Sequence, residues 1–310
     1  MSEHTLVFAG SPLERRDDLR ADHAALETLY KNECQVLAFT SDMKVYASVA
    51  PLDLHWMHAS DIGGHEVERV YLGQFGKTHC FAVALNKSSD EPHAWGETVK
   101  PMDARSFAAG MGEPSLDQGR SAIVAQAKAL LDWHARHVFC AKCGAETKAH
   151  KAGYQRVCVN DECGGEHFPR TDPAVIMLAH NGDQCLLGRQ SFYPEGVYST
   201  LAGYIEPGES LEEAVRREIM EESGVVAHAV QYVASQPWPF PANLMLGCMV
   251  EVEVMDARPL DGELEDVRWF SRQDVLAALN GDEKYDGKLR LPPSVSIARF
   301  LVETWANGPS

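Results

Sequence analysis

The spacing of apolar residues predicts short strands in the first third of the chain and mixed elements in the rest. β-Branched and aromatic residues cluster over 44–50, 67–72 and 78–85, and each cluster predicts a strand. Apolar residues then recur at helical spacing over 123–134, which predicts a helix. The chain therefore opens with strands and reaches its first strong helical signal in the second hundred residues.

The second half of the chain carries clearer signals. The apolar run 174–179 predicts a buried strand, and 184–189 predicts its hairpin partner across a turn that contains Asn181-Gly182. Further predicted elements are strands over 227–235 and 246–254 and helices over 272–279 and 296–305. Because strands and helices follow one another in irregular order, we expect the fold class to be α+β or a three-layer mixed sheet.

One helix has both ends marked in the sequence. Ser210 and Glu213 form a capping-box pattern, so the helix is predicted to begin near Leu211. Apolar residues repeat at every fourth position over 211–219 and predict its buried face. Gly224 supplies the left-handed residue that ends it.

Three carboxylates share one face of this helix. Glu218, Glu221 and Glu222 stand at i, i+3 and i+4, one turn apart. A solvated face is the commoner explanation of such a run, but seven Glu and two Arg over 203–225 favour a cation site. Hard oxygen ligands on one face suit Mg²⁺ or Mn²⁺, which retain water and bind substrate phosphates. A neighbouring arginine is also placed to pin Glu209.

Composition limits the function classes. With 310 residues, 45% apolar and 24% charged, the chain can fill about two domains, which excludes wholesale disorder. The net charge of −17 argues against a protein that holds nucleic acid through phosphate contacts. Phosphate chemistry stays open, because a bound divalent cation inverts the local field. No apolar run has the length of a signal peptide or membrane span, so we expect a soluble, cytoplasmic protein without a membrane partner.

Four of the eight cysteines lie in one short window. Cys140 and Cys143 form one close pair, and Cys158 and Cys163 form a second pair that begins fifteen residues after Cys143. Two such pairs can place four thiolates around one structural Zn²⁺, although four ordinary buried cysteines are the alternative. The window 140–170 holds five Lys or Arg and four Asp or Glu, so it does not predict a surface that follows phosphates.

The segment around the carboxylate helix resembles the Nudix box, G-x5-E-x7-R-E-U-x-E-E-x-G-U, where U is apolar. It matches at every specified position: Gly203, Glu209, Arg217, Glu218, Ile219, Glu221, Glu222, Gly224 and Val225. The resemblance implies a Nudix hydrolase, which cleaves a nucleoside diphosphate linked to another moiety. It also implies an α/β/α sandwich with a mixed sheet near the C-terminal end.

A proline-rich stretch follows ten residues after this box. Three prolines over 237–241 stiffen it, so Trp238 and Phe240 could stack on nicotinamide or adenine, or could simply pack as a stiff turn. The stretch resembles the SQPWPFPxS signature of the NADH pyrophosphatase branch, with Asn243 in place of the final serine. That branch also has a four-cysteine zinc ribbon and an extra N-terminal domain. The implied substrate-binding residues are Gln236, Pro237, Trp238, Pro239, Phe240, Pro241, Ala242 and Asn243.

The resemblance extends to further site residues. It implies that the Ala202 carbonyl, Glu218, Glu222 and Glu263 hold Mg²⁺ or Mn²⁺, with Glu265 the neighbour that could be confused with Glu263. Further substrate contacts implied in this way are Phe168 (where relatives often have tyrosine), Ala298 and Arg105.

The implied reaction is hydrolysis of a dinucleotide. The metal neutralises the pyrophosphate, and a water activated by Glu221 or by the metal attacks one phosphorus. NADH or NAD⁺ then gives nicotinamide mononucleotide and AMP. Two alternatives remain: removal of the NAD cap from RNA 5′ ends, and a non-catalytic nucleotide sensor. The resemblance also implies a homodimer with a shared site.

These observations predict three domains. Residues 1–137 are expected to form a strand-rich, mixed α/β, Nudix-like domain that ends in a helix. Residues 138–167 are expected to form the zinc ribbon, and 168–310 the catalytic Nudix domain.

Overall fold

The computed structural model divides the chain into two compact units. The first contains 1–171 together with 237–242, and the second contains 172–236 together with 243–310. The structure describes residues 6–93, 95–112, 117, 119–260, 262–281 and 289–308. Among the helices of these residues, none has the length and apolarity needed to cross a membrane.

The first unit is built on a seven-stranded mixed sheet. Its strands are β1 (Cys34–Phe39), β2 (Val45–Val49), β3 (Leu52–Leu54), β4 (Trp56–Met57), β5 (Glu66–Phe75), β6 (Thr78–Leu85) and β7 (Val99–Met102). They run in the order β3-β2-β1-β6-β5, with β4 paired to β1 and β7 to β2. Helices α1 (His23–Asn32), α2 (Ala104–Met111) and α3 (Arg120–Arg136) accompany the sheet. Strands β1 and β6 are paired in parallel, and both are almost wholly buried.

A small three-stranded sheet follows α3 within the same unit. Its strands are β8 (Thr147–His150), β9 (Gln155–Cys158) and β10 (Glu166–His167), all antiparallel. A buried polar network joins it to the larger sheet. Arg156 Nη1 donates to His134 Nδ1 (2.7 Å) and to Glu68 Oε2 (3.2 Å), and His134 Nε2 donates to the carbonyl of Gly153 (2.8 Å). The imidazole therefore accepts at Nδ1 and is neutral in this network.

This neutral histidine predicts a pH dependence of stability. Burial lowers the pKa of His134, while Glu68 acts to raise it and Arg156 and His137 act to lower it. The unfolded chain has a histidine pKa of about 6.5 and so takes up this proton first as the pH falls. The contribution of His134 is therefore complete above about pH 6.5 and declines as the pH falls below it.

The expected result is measurable by urea unfolding at pH 7.5 and 5.5. His134→Gln can donate to Gly153 and accept from Arg156 without titrating, so it should lose less unfolding free energy than the wild type over this interval. Equal losses in the two proteins would contradict the assignment.

The second unit is built on a six-stranded mixed sheet. Its elements are β11 (Asp172–Asn181), β12 (Gln184–Arg189), β13 (Leu201–Tyr204), α4 (Leu211–Ser223), β14 (Ala227–Trp238), β15 (Asn243–Val252), β16 (Asp266–Ser271), α5 (Arg272–Asn280) and α6 (Ile297–Asn307). The order is β14-β15-β11-β12-β16, with β13 paired to β11. β15 runs parallel to β11, whereas β12 and β13 run antiparallel to it.

Helices cover both sides of the central strand. Val175, Met177 and Ala179 of β11 form one core with Ala214, Val215 and Ile219 of α4. The alternate β11 residues, at 174, 176 and 178, are also buried, and α6 packs against β11 and β15. Because successive side chains of a strand point to opposite faces, the sheet lies between helices as in an α/β/α sandwich. The expected α+β class with mixed sheets is confirmed.

Most predicted elements are confirmed to within a few residues. The capping box at Ser210 and Glu213 is formed, and Gly224 ends α4 with φ of 73°. The turn after β11 joins Asn181 to Gln184 in register, as predicted. Among the helices and strands of the described residues, the sequence pattern missed α1, α2, β1, β3, β4, β7, β8, β9, β10, β13 and β16. Many of these are strands of two to four residues, too short to show periodicity.

Candidate functional site

Four cysteines come together beside β8 and β9. The thiol sulfurs of Cys140, Cys143, Cys158 and Cys163 all lie within 4.8 Å of one another, and no two of them are joined. The Cys140–Cys163 sulfurs are 3.8 Å apart and the Cys143–Cys158 sulfurs 3.4 Å apart. A tetrahedron with Zn–S bonds of about 2.3 Å has edges of about 3.8 Å, so these spacings fit a zinc ion.

Backbone amides support this cluster. The amide of Lys142 lies 3.4 Å from the sulfur of Cys140, and the amide of Asn160 lies 3.4 Å from that of Cys158. A Cβ added at Gly165 would come within 3.1 Å of the Cys140 sulfur, so a side chain there would crowd the site. The amides of Lys142 and Asn160 stabilise the negative charge of the thiolates and help to orient them as metal ligands. The alternative of four unrelated buried cysteines is wrong, because Cys143 is exposed and all four sulfurs converge.

The carboxylates of α4 are organised by one arginine. Arg217 makes a two-pronged contact with Glu209 (Nε–Oε1 2.6 Å, Nη2–Oε2 2.8 Å) and also contacts Glu218 Oε1 (2.7 Å) and Glu221 Oε2 (3.0 Å). Its Nη2 donates to the carbonyl of Tyr204 (2.9 Å). Hydrogen bonds from Arg217 lower the pKa of Glu209 to about 2, and Glu209 in turn raises the pKa of the guanidinium. The predicted pinning of Glu209 is confirmed.

Glu218 and Glu222 lie against β13. Glu222 is only 3% exposed, and its Oε2 accepts from the amide of Ala202 (3.2 Å). Glu218 packs on Gly203, where an added Cβ would sit 1.9 Å from its carboxyl carbon. Burial raises the pKa of Glu218, and the charges of Glu221 and Glu263 act in the same direction. Glu218 and the buried Glu222 therefore repel one another, and a divalent cation bound between such carboxylates would stabilise them.

The contact at Gly203 makes a prediction about stability. Gly203→Ala should displace the Glu218 carboxylate and cost about 1–3 kcal/mol of unfolding free energy, as overpacking does in general. Glu218→Ala removes the side chain that the new Cβ would meet, so Gly203→Ala made in the Glu218→Ala protein is the control. Urea unfolding gives the cost of Gly203→Ala with and without the Glu218 carboxylate. An equal cost in the two proteins would contradict the contact.

The structure separates Glu263 from its neighbour Glu265. Glu265 Oε2 pairs with Arg189 Nε at 2.9 Å, whereas the charge of Glu263 acts on Glu218. The assignment of Glu263 to a cation shared with Glu218 stays a prediction. The two glutamates differ by their partners, which the sequence does not reveal.

The donor set fits a hard divalent cation. Glu218, Glu222 and the β13 backbone beside them offer oxygen ligands, with Glu221 exposed at the rim. Among the described residues, only the four cysteines form a His, Cys, Asp or Glu cluster within 4.8 Å. The glutamate oxygens are therefore more widely spaced than the sulfurs. Arg217 accounts for part of this spacing, since it holds Glu218 and Glu221 on its guanidinium.

The proline-rich loop 237–242 packs within the first unit. Trp238 and Phe240 lie edge to face at 5.2 Å between ring centroids, and each meets Phe8 in the same way, at 5.8 and 5.9 Å. Arg105, in the first turn of α2, places its guanidinium 4.2 Å from the Phe240 centroid. Both rings of the loop remain partly exposed. The substrate-binding role of the loop and of Arg105 stays a prediction.

The other predicted substrate residues have defined partners. Gln236 is 1% exposed; its Nε2 donates to the carbonyl of Val295 and its Oε1 accepts from the amide of Ile297, both at 2.9 Å. This places Gln236 at the start of α6, where Ala298 is itself buried. Asn243 Nδ2 donates to the hydroxyl of Tyr204 at 3.1 Å. The remaining one, Phe168, is 59% exposed.

The sequence did not predict several residues that contact Asn243 and the loop 237–242. Tyr204 stood inside the recognised box at an unspecified position, and only the strand pairing brings it to Asn243. Phe8 and Lys128 carry no local signal, because their contacts to the loop span more than a hundred residues. A backbone outlier marks Phe8, whose φ is 68°.

Comparison with known families assigns three consecutive segments. Residues 19–133 match an NADH pyrophosphatase-like rudimentary NUDIX domain, 135–168 match an NADH pyrophosphatase zinc ribbon domain, and 170–290 match the NUDIX domain.

Curated relatives cover most of the chain. NAD-capped RNA hydrolase NudC of Mycobacterium bovis is 43% identical over 247 residues, which are 77% of this chain and 75% of the relative. Human NAD-capped RNA hydrolase NUDT12 is 44% identical over 198 residues, 61% of this chain but only 42% of that longer protein. A solved NUDIX hydrolase from Nitrosomonas europaea is 22% identical, covering 44% of this chain and 78% of its own, with a TM-score of 0.38.

Proposed function

Because this chain belongs to the Nudix family, with a zinc ribbon and an NADH pyrophosphatase-like domain, we propose that it hydrolyses the pyrophosphate bond of NADH or NAD⁺. The products are nicotinamide mononucleotide and AMP. One observation carries the proposal: the box helix α4 sets Glu218 and Glu222 against Ala202 and Gly203 of β13. A non-catalytic nucleotide sensor has no need of this complete set of carboxylates.

The proposal gives each glutamate a separate role. Glu218, Glu222, Glu263 and the Ala202 carbonyl would hold Mg²⁺ or Mn²⁺, which would neutralise the charge of the pyrophosphate and polarise the phosphorus. Among Glu218, Glu221 and Glu222, Glu221 has the most exposed side chain, so it can reach solvent and accept a proton from water. The water oxygen then bonds to one phosphorus, the bridging P–O bond breaks, and the other phosphate leaves with its mononucleotide.

Arg217 has a supporting role in the proposed reaction. By holding Glu209 and the Tyr204 carbonyl, it fixes the loop that leads from β13 to α4. Its contacts with Glu218 and Glu221 offset part of the repulsion between those carboxylates. The guanidinium thereby preorganises the acidic residues before a cation or substrate is bound.

A second candidate is removal of the NAD cap from RNA, which the names of the curated relatives favour. It uses the same bond and the same glutamates but needs room for a polymer. The net charge of −17 opposes tight binding of the RNA body, although a short 5′ end can still enter. A salt series that compares capped RNA with free NADH distinguishes the two: RNA held through its phosphates should lose affinity steeply with salt.

Product analysis tests the proposed activity directly. The purified protein is incubated with NADH and either Mn²⁺ or Mg²⁺, and the products are separated by chromatography. AMP and reduced nicotinamide mononucleotide in equal amounts are expected. Release of free nicotinamide, or no cleavage with either metal, would contradict the proposal.

We also propose a cellular compartment and an oligomeric state for the enzyme. The eight unpaired thiols suit a reducing compartment, so we place the protein in the cytoplasm. A homodimer rests on the family resemblance, and light scattering after size-exclusion chromatography tests it.

A further inference from the structure

The loop 237–242 is held by a lysine from the N-terminal part of the chain. Lys128, in the middle of α3, donates from Nζ to the carbonyl of Pro239 at 2.9 Å. The same ammonium lies 5.3 Å from the centroid of the Phe240 ring. One side chain therefore contacts both the backbone and an aromatic ring of the loop.

The surroundings of Lys128 are unfavourable for a charged ammonium group. It is half-buried, and burial lowers its pKa, with Arg136 and Arg105 acting in the same direction and Asp132 opposing them. Desolvating an ammonium costs free energy that its contacts must offset. An apolar side chain of similar length would fill the same space without that cost. We therefore attribute the ammonium group at this position to a local contact. Its hydrogen bond to the Pro239 carbonyl identifies that contact.

The loop depends on such outside partners for its position. Its three prolines have no amide hydrogen, so the backbone offers few donors of its own. Within the loop, the amide of Phe240 bonds the carbonyl of Trp238 at 2.7 Å. The prolines restrict the shape of the loop, but contacts to the rest of the unit decide where it lies. Lys128, Arg105 and Phe8 supply these contacts.

We propose that Lys128 is a positioning residue that fixes loop 237–242 for binding of the dinucleotide, through the Pro239 carbonyl and the Phe240 ring. The NADH pyrophosphatase-like domain thereby orders the loop whose aromatic side chains receive a nicotinamide or adenine ring. The inference rests on the proposed function for its kinetic part. Its structural part, the ordering of the loop, does not.

Lys128→Met tests the inference, because methionine keeps the length and loses the charge and the hydrogen bond. Lys128→Arg keeps a cation, and Lys100→Met, at an exposed position of β7, is the matched control. Two measurements are made on the full-length protein. Hydrogen–deuterium exchange follows the peptide over 236–244, and steady-state kinetics with NADH separates KM from kcat.

In the methionine variant we expect the loop amides to exchange about tenfold faster. We expect KM to rise about tenfold with kcat within about twofold, the pattern of lost binding rather than lost chemistry. Lys128→Arg should restore most of the wild-type exchange rate and KM, and Lys100→Met should match the wild type in both. If Lys128 had a merely structural role, Lys128→Met would lower the thermal stability and kcat without a selective rise in KM. That result would overturn the proposal.

The two proposals fail in different ways. A wild-type protein that does not cleave NADH would overturn the proposed function and leave the exchange experiment to decide on the ordering of the loop. Unchanged exchange in Lys128→Met would overturn the positioning role whatever the hydrolysis result. Faster exchange with unchanged KM would also overturn it, because the loop would then be held without serving the substrate.

Discussion

Glu222→Gln is expected to remove nearly all NADH hydrolysis while the protein stays folded. The substitution takes one negative charge from a buried position beside Glu218 and keeps the shape of the side chain. The glutamine oxygen can still accept from the Ala202 amide, so the contact between α4 and β13 survives. Losing several kcal/mol of metal-mediated charge stabilisation corresponds to roughly 10²- to 10³-fold in rate.

The measurement is kcat/KM with NADH at saturating Mn²⁺, together with the melting temperature. Glu212→Gln is the matched control, since Glu212 stands exposed in the first turn of the same helix. We expect Glu212→Gln to retain wild-type turnover within about twofold. Near-normal hydrolysis by Glu222→Gln would reject the assignment of Glu222 to the metal.

Removal of zinc is expected to have the largest effect on stability. The segment that carries the four cysteines has three short strands, β8, β9 and β10, and a small apolar core. Zinc-finger peptides bind their ion with about 10–16 kcal/mol of apparent free energy, and that energy is folding free energy. Even part of this loss should lower the melting temperature by about 10 °C or more.

Metal analysis and thermal melting test this expectation. One zinc ion per chain is expected in the purified protein, and a strong chelator should lower its melting temperature. Cys143→Ser should have the same effect without chelator, which separates zinc from any metal at the glutamates. Cys34→Ala is the control, because Cys34 lies outside the cluster and should leave the zinc content unchanged. A fully stable protein that contains no zinc would contradict the assignment.

The sequence predicted best where chemistry and local structure coincide. In α4 the capping box, the apolar repeat and the terminal glycine each leave a local mark, and the helix was predicted to within one residue. The cysteine window is equally local, because its turns bring close pairs of sulfurs together. Both motifs could therefore be located and given a chemistry without coordinates.

Other features depend on contacts between distant residues. Strand β1 is apolar except for Gln35, and a short apolar run of this kind is compatible with either a central strand or a helix. Its parallel pairing with β6 shows that it is a strand. The glycine of the box was recognised as a motif position, but its contact with Glu218 requires the packing of β13 on α4. Gln236 belongs to a recognised signature, yet its amide bonds the backbone at the start of α6.

The division of the chain into 1–171 plus 237–242 and the remainder has a practical consequence for dissecting the protein. A recombinant fragment that begins at Asp172 would retain Trp238 and Phe240 but lose Phe8, Arg105 and Lys128. The rings of Trp238 and Phe240 would then be exposed to solvent and could associate with those of other copies of the fragment. A fragment cut at this boundary should therefore be prone to aggregation. For studies of the Nudix domain, co-expression with the missing N-terminal half should prevent this.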